Sequence, residues 1–78
     1  MLDVKYDIVE ETYICDNKSR ISYGIAAYDA KSGMTDVFEA FHDISDDKQR
    51  VHALAEKCNE LGLSLEHFED VVTDFLSE

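Results

Sequence analysis

The chain has no proline and no tryptophan, only three glycines, two cysteines, and seven basic residues against eighteen acidic ones. Each shortage excludes something. With no proline, no low-complexity tract and no internal repeat, nothing divides the 78 residues, which are expected to form a single domain. Two cysteines as far apart as Cys15 and Cys58 do not make a disulfide framework and read first as weakly polar core residues. No glycine-rich loop is present to cradle a phosphate or build an oxyanion hole. No apolar run approaches the roughly 18 residues that cross a bilayer. The opening Met1–Asp7 has neither the basic start nor the apolar stretch of a signal peptide, so the expected location is cytoplasmic.

The scarcity of Lys and Arg is the firmest constraint on function. Net charge is −11, and after Lys57 no basic residue follows, while Glu60, Glu66, Glu69, Asp70, Asp74 and Glu78 do. Nucleic acids and anionic membranes are bound largely by neutralising phosphates with Lys and Arg. Neither is an expected partner. A basic partner or a cation is permitted, although high net charge also simply keeps a small protein in solution.

What is present divides near Asp43 into a strand-rich half and a helical half. Val4, Tyr6 and Ile8 alternate on one parity and Val9, Tyr13 and Cys15 on the other. That change calls for a bulge near Ile8–Glu11 or for a strand partly covered on both faces. Asp16-Asn17-Lys18-Ser19 supplies turn chemistry. A second strand runs from about Arg20 to Tyr28, with Gly24 in its middle, where glycine marks a bulge or a close backbone approach. Asp29–Gly33 closes another hairpin, and a third strand covers about Thr35 to Phe41.

Ser45 or Asp46 is the expected N-cap of a helix carrying Val51, Leu54, Ala55, Cys58 and Leu61 at helical spacing, with Gln49 placed for a capping box on Asp46. Gly62 ends it, and Ser64 caps a second helix striped by Leu65, Phe68, Val72, Phe75 and Leu76. The predicted fold is α+β in two layers: a three-stranded antiparallel meander over about residues 4–42, then an αα-hairpin over about 45–78 packed on one sheet face. Two helices leave the other face open. Tyr6, Tyr13, Tyr23 and Tyr28 exceed what one buried face needs, which makes them a candidate interaction surface for a protein partner or a second copy. The plainer reading is of ordinary strand residues with exposed hydroxyls.

Candidate chemistry is sparse. A helix-turn-helix reading of Leu61–Ser64 fails because the second helix would present Glu66, Glu69 and Asp70 to phosphates. His42-Asp43 with Asp46-Asp47, and His52 with Glu56, match no metal-ligand pattern, so no metal or other cofactor is expected. One constellation could do more: Cys58 and Asn59 late in the first helix, with His67 and Asp70 early in the second. A thiol, an imidazole and a carboxylate are the ingredients of a nucleophile, its base and an orienting group. Against this, Cys58 occupies a core position, where burial raises a thiol's pKa, and the four side chains serve equally well as a polar network locking the hairpin. No catalytic motif is found, and a non-enzyme is expected.

The run Asp43-Ile44-Ser45, Asp47-Lys48, Cys58-Asn59, Leu63-Ser64, His67, Asp70-Val71-Val72 and Asp74-Phe75-Leu76 resembles a family of short bacterial proteins classified only as a domain of unknown function. Ser22-Tyr23-Gly24-Ile25 and Tyr28-Asp29 resemble the N-terminal half of the same family. The resemblance implies a small stand-alone protein of the bacterial cytosol and brings no activity, ligand or catalytic residue with it. The leading expectation is a non-catalytic protein-interaction or regulatory module. The alternatives are a small enzyme or ligand binder using Cys58, His67 and Asp70, and an acidic mimic that occupies a basic protein.

Overall fold

In the computed structural model, which describes residues 3–33 and 35–77, three strands β1 (Val4–Cys15), β2 (Lys18–Asp29) and β3 (Val37–Ser45) precede helices α1 (Lys48–Leu61) and α2 (Leu65–Leu76). The sheet is antiparallel in the order β1-β2-β3. The helices follow as a hairpin on one face, so the α+β meander-plus-hairpin architecture is the observed one. Asp16 and Asn17 both take positive φ, 52° and 63°. This pair forms the two-residue turn whose twist suits a tight β-hairpin, and Asp and Asn tolerate it better than most residues. With the loop that short, β2 begins at Lys18, two residues before the expected start.

The bulge expected near Ile8–Glu11 is absent: β1 and β2 pair without a break from Val4↔Asp29 to Cys15↔Lys18. Val9 and Tyr13 are instead half-buried on the face opposite Tyr6, so the mixed parity reflects partial cover on both faces. The irregularities lie between β2 and β3, at Tyr23/Ile25 and at Ala27/Tyr28. Gly24 is the reason at the first. A Cβ there would collide with the Phe41 carbonyl oxygen and come within 2.9 Å of the His42 Cα, so β3 can approach β2 only past a glycine. Asp43, at φ 55°, then carries β3 on to Ser45, beyond the Phe41 end expected from sequence.

The helix start moves with it. Asp47, not Ser45 or Asp46, is the N-cap, its carboxylate accepting from the amides of Gln49 and Arg50. The capping box on Asp46 therefore does not form, and Ser45 receives the Asp47 amide instead. Gly62 ends α1 at φ 58°, and Ser64 stands at the α2 N-cap without a side-chain bond.

The core lies between the sheet and the helices: Tyr6, Ile25 and Ala27 from the strands, Val51, Leu54, Ala55 and Cys58 from α1, Phe68 and Val72 from α2. Phe68 sits between Tyr6 and Phe41, with ring centroids 4.9 and 5.1 Å away. At the far end of the hairpin the Arg50 guanidinium lies over the Phe75 ring at 5.0 Å.

One contact ties the layers at the edge. The Asn59 side chain accepts from the Tyr6 amide and donates to the Tyr6 carbonyl, both at 2.8 Å, while the Tyr6 hydroxyl donates to the Leu63 carbonyl at 2.7 Å. Asn59 thus stands in for a neighbouring strand and closes the free edge of β1 at that point. Replacing it by Ala removes both bonds, and urea denaturation is expected to show a loss of about 1–3 kcal/mol. Gly24→Ala is expected to destabilise at least as much, because backbone rather than a pliable side chain occupies the space. Thermal unfolding followed by circular dichroism reads either variant.

Candidate functional site

The face opposite the helices carries a polar cluster drawn from all three strands. The pairings Glu11↔Ser22 and Tyr13↔Arg20 set four side chains on that face of the β1–β2 ribbon. His42 and Asp43 arrive from β3 at the point where Gly24 lets it close in. His42 Nδ1 bonds the Glu11 carboxylate, reaching over β2 to the far strand. Tyr13 donates its hydroxyl to the other Glu11 oxygen at 2.6 Å. Ser22, nearly fully buried, donates to Asp43 Oδ1 at 2.5 Å, and Arg20 binds that same oxygen at 2.9 Å. The Arg20 guanidinium also lies 5.7 Å from the centre of the Tyr13 ring.

Two carboxylates are acidified by this arrangement. The Tyr13 hydrogen bond is the main cause holding Glu11 below the ordinary carboxylate value, with His42 adding to it. Ser22 does the same for Asp43, helped by Arg20. Tyr13 is raised in turn, because ionising it would lose the bond to Glu11. Glu11 engages His42 at Nδ1, and the Ser22 hydroxyl is paired with the Asp43 carboxylate rather than with the imidazole. The cluster straps β3 across the ribbon.

The sequence-derived candidates are placed differently from one another. Cys58 lies in the core beside Leu54 and Ala55, and burial pushes its thiol up. Asn59 is used by Tyr6. His67 and Asp70 are exposed on α2, whereas Cys58 is buried. The four are therefore not drawn into one polar network: one fills the core, one ties an edge, two face solvent. The tyrosines also divide. Tyr6 is buried under the helices and Tyr23 packs against the core from the same face, so neither belongs to an outer interaction surface. Tyr13 and Tyr28 are half-buried on the opposite face.

Of the metal candidates, His42 goes to Glu11, Asp43 to Ser22 and Arg20, and Asp47 to the start of α1. His52 and Glu56 form only an exposed pair at 3.4 Å. Among the described residues, no group of three or more His, Cys, Asp or Glu side chains is arranged to hold a metal ion. The outer-face cluster went unread in the sequence. Its signal was the Asp16-Asn17 turn: once that is a two-residue loop, Tyr13 must face Arg20 and Glu11 must face Ser22.

Two further surface features stand out. Beyond Tyr23 the sheet is only β1 and β2 wide, since the β2–β3 pairing ends at Tyr23↔Ser45. This two-stranded arm contributes to the molecule's elongation, 46 × 29 × 18 Å. Ile14 and Ile21 lie there on the helix-side face but past the helices, 81% and 46% exposed. The second is a crease of 320 Å³ between α1 and α2, lined by Leu54, Leu61, Leu63, Val71 and Phe75.

A small two-layer α+β protein is what the fold defines. The chain belongs to a family of unknown function, DUF6514, whose model matches residues 1–78. No curated protein and no solved structure matches it.

The acidified carboxylates have a testable consequence. Their folded pKa values lie below the unfolded ones, so their contribution to stability is complete above the ordinary carboxylate range and is lost as pH falls through the lowered values. Carbon-detected NMR titration should find the Glu11 pKa rising in Tyr13→Phe and the Asp43 pKa rising in Ser22→Ala. An unchanged Glu11 value in Tyr13→Phe would exclude the phenol as the cause. Thiol labelling provides a second check: Cys15, which is exposed, should react in the native protein, and Cys58 only on unfolding.

Proposed function

We propose that this chain is a small non-catalytic interaction module of the bacterial cytosol, acting by contact with another protein chain. The observation that carries the reading is the projecting arm. Apolar side chains that continue the core face are left uncovered where the helical layer stops, and Ile14 in particular stands almost wholly in solvent. Exposing Ile at a β-ribbon end costs the isolated chain solubility and gives its own core nothing, which is the economy of a contact surface. Charge supports the choice of place. Between Glu10 and Tyr23 the acids Glu10, Glu11 and Asp16 are nearly balanced by Lys18 and Arg20, whereas the chain as a whole carries −11. A protein partner, including a second copy, meets less repulsion there than elsewhere. The net charge disfavours nucleic acid and anionic membrane as partners. The reactive side-chain types support a non-enzyme, because each is buried, exposed singly, or bonded to a neighbour.

The test is an arm variant, Ile14→Ser with Ile21→Ser, compared with wild type by sedimentation over a wide concentration range and by affinity capture from lysate of its own host. Wild type should self-associate or retain a defined partner at moderate salt, and the variant should lose that behaviour with its melting temperature little changed. A wild-type chain that stays monomeric, and whose captured proteins are identical to those of the variant, would sink the reading.

A further inference from the structure

The arm is not the only uncovered apolar surface. Leu61 ends α1 with 67% of its surface exposed and forms one wall of the crease between the helices. Leu63, Val71 and Phe75 line the rest, and each is also packed against the core from its inner side, so the walls are set by the fold. The crease is at the small end of the about 300–1,000 Å³ taken by small-molecule sites. Only Lys57 and Asp74 put charged groups on its lining, and no set of polar groups converges to orient a compact ligand. It is suited to a few apolar side chains.

Its lining pairs one base, Lys57, with one acid, Asp74, and the exposed helix positions around its rim add acids only. Asp74 lies on the crease, and Asp70 is one turn before it on α2, exposed. Glu60 precedes Leu61, also exposed, and the single base is Lys57, after which the chain has none. A second copy of this chain would bring its own −11 to this rim and is disfavoured there. The walls are helices whose backbone groups are bonded internally, so they offer no strand edge to pair with. What fits is side-chain docking by another helix, read through anchors at i, i+3, i+4 and i+7.

We propose that the α1–α2 crease receives a basic amphipathic helical segment of a partner protein, its apolar anchors seated against Leu61, Leu63, Val71 and Phe75 and its Lys or Arg residues facing Asp70, Asp74 and Glu60. The inference rests on the interaction reading above but uses a different surface, and it names the chemistry of the partner.

The probe is a blocked, fluorescein-labelled peptide of about 18 residues with Leu at i, i+3, i+4 and i+7 and Lys elsewhere. It is titrated with the full chain by fluorescence anisotropy. The peptide should bind at low salt and weaken as salt is added, and its glutamate counterpart should not bind. Leu61→Ser alters no charge and no buried group, and is expected to weaken binding about tenfold. Ile14→Ser, the matched apolar loss on the arm, should leave the affinity unchanged. Backbone amide shifts in the wild-type complex should concentrate at Leu61, Leu63 and Val71. Absence of binding overturns the proposal. So does equal binding by wild type and Leu61→Ser, which would mean diffuse attraction to an acidic surface. Failure here with arm-dependent capture intact removes the crease alone; success here with an inert arm removes the arm alone.

Discussion

Tyr6 is where the two layers are joined, and the helical half depends on it. Its main chain is held by the Asn59 side chain, its hydroxyl by the Leu63 carbonyl, and its ring by Phe68. These contacts meet α1, the elbow formed by Gly62, Leu63 and Ser64 between the helices, and α2 in turn. Burial makes them count, because a tyrosine hydroxyl taken from water without a partner costs more than the bond returns. Burial is also the first cause keeping the phenol protonated, and the neighbouring Cys58 and Glu39 oppose its ionisation further. A small domain hides a modest fraction of its surface, so a residue that is at once core ring, elbow anchor and edge closure has large leverage.

The opposite face is organised by a different constraint, the closeness of β3 to Gly24. Because no side chain stands at Gly24, His42 can pass over β2 to Glu11, and Asp43 can turn back onto Ser22 and Arg20. The apolar face holds the helices; the polar face holds the strands in register where pairing becomes irregular. Between them they engage Glu11, Tyr13, Arg20, Ser22, His42, Asp43 and Asn59, while Cys15, His52, His67 and Asp70 stay exposed. Exposed apolar surface lies at the arm and at the crease beside Leu61, and also at Val37, Phe38 and Leu76. The proposed contact role rests on that apolar surface, and the net charge of −11 enters the proposal through the choice of partner.

The elements whose signals are local were legible in the residues. Gly62 after Leu61, Ser64 before Leu65, the Val51–Leu61 spacing and the turn at Asp16 each depend on contacts within a few positions. Gly24 was legible as a close approach, though not what approaches. Other readings failed for want of a distant partner. Ser45, Asp46 and Asp47 are all acceptable caps, and the choice fell to Asp47 because β3 runs on to Ser45. Asn59 next to Cys58 looked like part of a polar site with His67 and Asp70, yet its partner lies 53 residues away on β1.

By itself, then, the sequence determined the α+β meander-and-hairpin plan and the membership of Cys58 in the core, because periodicity and capping are properties of neighbouring residues. Only the tertiary structure decided which tyrosines are buried, that Glu11 and His42 meet, and that Ile14 and Leu61 stay uncovered. Those outcomes follow from where one strand's irregular register places its side chains and from how far two helices extend over a longer sheet, and neither quantity is carried by any local run of residues.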